Sequence, residues 1–366
     1  SAEEVVRRAR FIDQAFPFRG GYGYSNIMFI AAGEIIPAVT GKSWTEYVKE
    51  TILDPIGMHR TVLSTRQLQG LDNVATPHGL HRGKLVAFPW QNWDAMAAAG
   101  GIISSVSDMS RWLLLQLGRG QLDGRRIFSE EAAHEMWSLH TPQPVTRAAE
   151  QRTPSTHFRG YGLGWVLNDY LGRKIISHGG GYDGMFSRTV LVPEENLGIV
   201  VLTNGMTSLA TAITNRILDT YLGGQPRDWA AEMLTQQRAA DRRFAERIEK
   251  AITPTARGTK PSLPLQAYTG TYFDPFYGEA TVTLENGRLV FRMLPNPELV
   301  ADLTHLQYET FVIEWRRRWP WFDRGTLSFV LDATGTPTRI ELNVPNDDFW
   351  FHELDFRRTE QRANAR

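Results

Sequence analysis

Apolar residues recur at helical spacing through the first part of the chain. Ile27, Ile30, Ala31, Ile35 and Ala38 fall on one face, which predicts a helix over 27–40 closed by Gly41. Ser43-Trp44-Thr45-Glu46 has the form of a capping box and opens a second helix toward Leu53, which Pro55 and Gly57 end. Ser107 heads a third candidate helix over DMSRWLLLQLG, and Ser129 a fourth that carries Met136 and Trp137 inward. Between the second and third, 97–103 is a run of small residues that lets chain segments approach closely, and the opening SAEEVVRRARFID is an amphipathic helix.

From 173 the period changes. RKIISH, MFSRTVLV and LGIVVLT are β-rich, and Pro193 to Asn196 has type I turn composition, so an antiparallel meander is expected. A helix follows over 208–222, ended by Gly223 and Gly224. Charged residues with sparse apolar positions then read as a helical connector over 226–258, and Pro261 to Pro264 mark a boundary. After Leu265 short alternating runs, with Asn286-Gly287 as a hairpin turn, predict a small barrel or sandwich over 259–366.

Composition narrows the function classes. At 366 residues the chain suggests two domains, or one large domain with an appendix. Lys+Arg and Asp+Glu are both 40, so no basic footprint for nucleic acid exists. There is no cysteine, which excludes disulfides, thiolate metal sites and a cysteine nucleophile. No apolar run is long enough for a transmembrane helix, for which about 18 residues are needed. The nine histidines form no His-Glu-x-x-His or His-x-His pair, so no metal is expected.

Three local constellations are candidates for chemistry. In Gly23-Tyr24-Ser25-Asn26, a Tyr and an Asn two residues apart at a helix start can both point into one cleft, one as proton carrier and one as amide donor; equally, Asn26 can be an N-cap with Tyr24 packed beneath it. In His178-Gly179-Gly180-Gly181 the missing Cβ atoms let a ligand lie against the strand and free an N–H for an oxyanion; equally, the glycines can be a turn between strands. Gly160-Tyr161-Gly162-Leu163-Gly164-Trp165 lacks the following helix and the Gly-Lys-Ser/Thr of a phosphate loop, so it reads as strand packing. No Gly-x-Ser-x-Gly elbow is present.

Taken in order, GYGYSNIMFIAAGEIIPAVTGKSWTEYVKETILDPIGM, AAGGIISSVSDMSRWLL, GYGLGW and ISHGGGYDGMFSRTVLVPEENLGIVVLTNG resemble the serine hydrolases of the β-lactamase and penicillin-binding-protein superfamily, in its class C β-lactamase-like esterase and peptidase branch. The resemblance covers about residues 1–225, and 259–366 is similar to the small lipocalin-like β-barrel often appended to such hydrolases. It implies an α/β (α+β) fold, an antiparallel sheet flanked by helices that is incomplete at its N-terminus, and a seryl acyl-enzyme mechanism without cofactor or metal. By the same resemblance Tyr24 and Asn26 match the Tyr-x-Asn box, and His178, Gly179 and Gly180 the His-x-Gly box. The N–H of Gly181 would then be one oxyanion donor.

The family's Ser-x-x-Lys box is missing. Lys42, Lys49, Lys84, Lys174, Lys250 and Lys260 are preceded three positions earlier by Val39, Glu46, His81, Leu171, Arg247 and Arg257, none of them serine. The expectation is a fragment of a longer hydrolase whose attacking serine comes from an upstream or associated segment; the rival is a ligand-binding or scaffold protein that keeps the cleft. A histidine in the third box, largely neutral at pH 7, favours an ester, amide or D-amino-acid peptide over a β-lactam. The dense Trp315, Trp319, Trp321 and Arg316 to Arg318 cluster can cover the cleft or fill the barrel's own core. Localisation in the periplasm or outside the cell follows only from the resemblance.

Overall fold

A computed structural model describes residues 1–359. The chain divides into two compact units: one gathers Ser1–Val6, Gln14–Leu80 and Leu85–Gln237, the other Arg7–Asp13, His81–Lys84 and the chain from Arg238 on.

The first unit is built on a six-stranded antiparallel sheet. Its strands are β1 (Thr141–Gln143), β2 (Arg159–Tyr161), β3 (Val166–Tyr170), β4 (Arg173–Tyr182), β5 (Met185–Val192) and β6 (Leu197–Thr203), hydrogen-bonded in the order β6-β5-β4-β3-β2-β1. Successive side chains of a strand point to opposite faces, and the sequence uses both. Ile176 and Leu191 enter a core with Leu113, Trp137, Trp165 and Leu167. Their neighbours Ile175, Val190 and Val192 enter a second core with Ile199 and Leu218. Each buried aliphatic side chain is worth about 1.5–3 kcal/mol, so a slip of one residue, which would exchange the two faces, is strongly disfavoured.

Helix α1 (Asn26–Thr40) ends at Gly41, whose φ of 71° lets its N–H reach the Pro37 carbonyl. Gly33 lies so close to the 97–100 segment that a Cβ would fall 2.3 Å from that of Ala98. The Ser43–Glu46 capping box forms as expected, with both reciprocal bonds made. The third helix starts earlier than the sequence suggests. α2 (Val106–Leu117) is capped by Ser105, whose Oγ accepts from the Asp108 N–H at 3.2 Å, while Ser107 is already inside it. α2 contributes Leu113 to one face of the sheet, and α3 (Leu209–Leu222), ended by Gly223 at φ 72°, contributes Leu218 to the other.

The helix α4 (Trp229–Ile252) follows. In the second unit eight strands, β7 (Gly270–Asp274), β8 (Gly278–Glu285), β9 (Arg288–Met293), β10 (Val300–Gln307), β11 (Thr310–Trp315), β12 (Gly325–Leu331), β13 (Pro337–Asn343) and β14 (Phe356–Arg358), close into a barrel. Closure leaves no open sheet edge. Asn286 and Gly287 both take positive φ, 51° and 78°, in the two-residue turn joining β8 to β9. The interior is aliphatic and aromatic, with Tyr272, Phe291, Phe311, Ile313, Leu327 and Phe356 among its buried members. Trp319 is buried there and stacks on Phe322, and Trp315 packs against the same core, so these two tryptophans fill the barrel.

Candidate active site

The glycines after His178 continue the strand rather than turning it. β4 runs unbroken through Gly179, Gly180 and Gly181 to Tyr182, paired with β5 as His178↔Thr189, Gly179↔Arg188, Gly180↔Ser187 and Gly181↔Phe186. The reversal falls instead at Gly184, whose φ of 89° suits only glycine there and whose Cβ would lie 2.7 Å from Pro77. Gly179, Gly180 and Gly181 are exposed, which leaves an open stretch of strand beside His178. By alternation His178 and Gly180 share the face of Ile176.

Tyr24 reaches the same place from the segment before α1. Its ring centroid stands 6.0 Å from the His178 imidazole. Asn26 is the first residue of α1, and the N-cap is Ser25, so the capping role open to Asn26 in the sequence is not the one it takes. Asn26 is half-buried, and its side chain makes no hydrogen bond among the described residues.

One residue of this cluster escaped the sequence reading. Tyr161, from the glycine-rich stretch read as strand packing alone, is the last residue of β2, and its hydroxyl lies 2.9 Å from His178 Nε2. Its ring also meets Tyr24 edge-on at 6.3 Å and Tyr22 at 5.7 Å. The flanking glycines explain how it is held. A Cβ on Gly160 would lie 2.8 Å from the Thr141 carbonyl oxygen, and one on Gly162 would lie 2.2 Å from that of Met136. The signals in the sequence were its place in GYGLGW, one of the pieces that carry the resemblance, and a polar aromatic bracketed by two glycines.

The electrostatics are set by burial. Desolvation lowers the pKa of His178, the Gly179 carbonyl partly opposes this, and the charge of Arg188 lowers it further. Burial, then the neighbouring Tyr24 and Tyr22, raises that of Tyr161. Arg188 itself is pushed down by burial and by Arg159, and its Nε is buried without a partner. A desolvated guanidinium without a carboxylate is an unfavourable state that an anionic ligand group would relieve. Lys49 pairs with Asp54 at 2.6 Å, and Lys174 donates to the Trp137 carbonyl at 2.6 Å, four residues from His178 along the strand, or about 13 Å.

Tyr24, Tyr161 and His178 thus meet beside an exposed stretch of glycine strand on one unit of a helix-flanked antiparallel sheet. The family described as Beta-lactamase matches residues 1–222, so the chain belongs to the β-lactamase family. A domain of unknown function, DUF3471, matches 254–358. Among relatives, the unguisins hydrolase ungD' of Aspergillus campestris is 27% identical over 302 residues, covering 79% of this chain and 54% of its own length. Unguisins hydrolase ungD of Aspergillus violaceofuscus is 29% identical, covering 85% and 56%. The D-aminopeptidase of Gluconobacter oxydans is 28% identical, covering 55% and 35%. The chain therefore spans about half the length of the first two relatives. A penicillin-binding protein homologue of Pyrococcus abyssi, described as octameric, superposes with a TM-score of 0.50 at 20% identity over 98% of this chain and 74% of its own, a likeness of fold.

Proposed function

We propose that this chain carries the Tyr-x-Asn and His-Gly-Gly parts of a serine hydrolase site acting on esters, amides or peptides, D-amino-acid peptides included, and that the attacking serine and its lysine come from a segment outside this sequence. The observation that carries the reading is the meeting of Tyr24 with His178 beside the exposed glycine strand. In this scheme the Tyr24 hydroxyl relays a proton to and from the serine, Asn26 orients the substrate amide, and the Gly181 N–H with the serine's own N–H receives the oxyanion. The substrate lies along Gly179 to Gly181, where no Cβ intervenes. The name of one relative, a D-aminopeptidase, supports amide substrates.

The surface supports a missing neighbour. Met28, Ile35 and Val39 lie at helical spacing on α1 and are 58%, 58% and 72% exposed, a stripe suited to a further helix, and β6 is an edge strand. A second reading, a non-catalytic ligand-binding or scaffold protein, is favoured by one observation: no serine stands three positions before any lysine of this sequence.

Labelling with a fluorophosphonate serine probe separates the two. The chain combined with the polypeptide encoded upstream of it should be labelled on a serine of a Ser-x-x-Lys box, and this chain alone should not. Absence of such a box from the upstream frame and from every co-purifying polypeptide would leave the binding reading.

A further inference from the structure

His178 is held from both sides of its ring. Nδ1 lies 2.6 Å from the carbonyl oxygen of Gly179, an atom that can only accept, so Nδ1 carries a proton. Nε2 faces the Tyr161 hydroxyl at 2.9 Å. We infer that Tyr161 is the positioning residue of this site: its hydroxyl donates to Nε2, fixes the His178 ring against β4 and leaves no imidazole lone pair open to the cleft.

The groups around the ring favour this arrangement. Tyr161 meets it from β2 and Tyr24 from the segment before α1, and the charge of Arg188 on β5 acts on it. Arg188 and burial disfavour a second proton on the imidazole, so Nε2 stays an acceptor near neutral pH, while burial keeps the Tyr161 hydroxyl a donor. With both nitrogens engaged, His178 is neither a free base nor a mobile cation. It becomes a fixed wall of the cleft, and proton transfer falls to Tyr24. Tyr161 also spaces the two, since its ring meets Tyr24 at 78° and His178 at 74°. The catalytic meaning of the clamp rests on the acyl-transfer reading; its geometry does not.

Long-range proton–nitrogen correlation spectra of the nitrogen-15-labelled chain read the clamp directly. At pH 7.5 the wild-type His178 should show a protonated Nδ1 and an Nε2 resonance displaced by hydrogen bonding. In Tyr161→Phe, Nδ1 should keep its proton, Nε2 should move to the position of an unbonded lone pair, and the titration midpoint should rise, because a hydrogen bond to the neutral ring is lost. An unbonded Nε2 in the wild type, which needs no variant, overturns the inference; so does a Phe variant whose Nε2 resonance and midpoint match the wild type. In the serine-complemented protein, Tyr161→Phe should shift the acid limb of the labelling-rate profile to higher pH. If that protein is never labelled, the hydrolase reading fails while the spectra still decide the clamp.

Discussion

Tyr24 and His178 stand with ring centroids 6.0 Å apart, although one precedes the first long helix and the other lies within the fourth strand of the sheet. Phe29, three residues into the helix from Asn26, packs against Tyr24 at 5.8 Å, so the helix start holds the tyrosine in place. If Tyr24 is the proton carrier, Tyr24→Phe in the serine-complemented protein should slow fluorophosphonate labelling by about 100-fold or more, the usual contribution of a positioned acid–base group. A labelling rate equal to that of the wild type would remove Tyr24 from the mechanism.

The lowered pKa of His178 links its burial to stability. A histidine whose folded pKa lies below its unfolded value of 6.5 binds its proton more readily in the unfolded chain, so its contribution is complete above pH 6.5 and is lost as pH falls from there toward the folded pKa. Urea unfolding midpoints measured from pH 7.5 to 5 should therefore fall more steeply in the wild type than in His178→Gln. Parallel curves would mean that the ring is not desolvated.

Asp219 joins β3, α3 and α4. It is buried, accepts from the Tyr170 hydroxyl at 2.5 Å and from the Trp229 indole N–H at 2.6 Å, and replacing it strands both donors. Asp219→Ala should cost about 3 kcal/mol in chemical denaturation, given about 1–3 kcal/mol for each buried group left unpaired. Asp219→Asn, which keeps an acceptor, should cost less; equal losses in the two variants would show that the carboxylate oxygens are not what matters.

Gly184 is the hinge of the hairpin that carries the glycine strand. Its positive φ and the backbone of Pro77 and His78, within 3 Å of a Cβ, leave no room for a side chain. Gly184→Ala should lower the melting temperature and cost about 1–3 kcal/mol, whereas Gly172→Ala, with positive φ but open space around it, should cost less. Equal costs in the two variants would place the constraint in the dihedral angle alone.

Much of the fold was legible because its signals are local. The spacing of Ile27, Ile30 and Ile35, the box at Ser43 and Glu46, and the Asn286-Gly287 turn each act within a few residues, so the chain announces them without its partners. The shift from Ser107 to Ser105 at the α2 cap has the same origin: two serines two residues apart offer equivalent caps, and the contacts of the whole helix choose between them.

The sequence by itself determined the class of the protein, through Tyr24, Asn26, His178 and the glycines that follow, and through the alternation that makes the last hundred residues a β-domain. Only the tertiary structure decided that eight strands close into a barrel, that Gly179 to Gly181 lie in a strand and not a turn, and that Tyr161 bonds to His178. Those outcomes depend on register between strands and on the meeting of a hairpin with a strand, and such pairings are fixed by which faces can be buried together, a property no short window of residues contains.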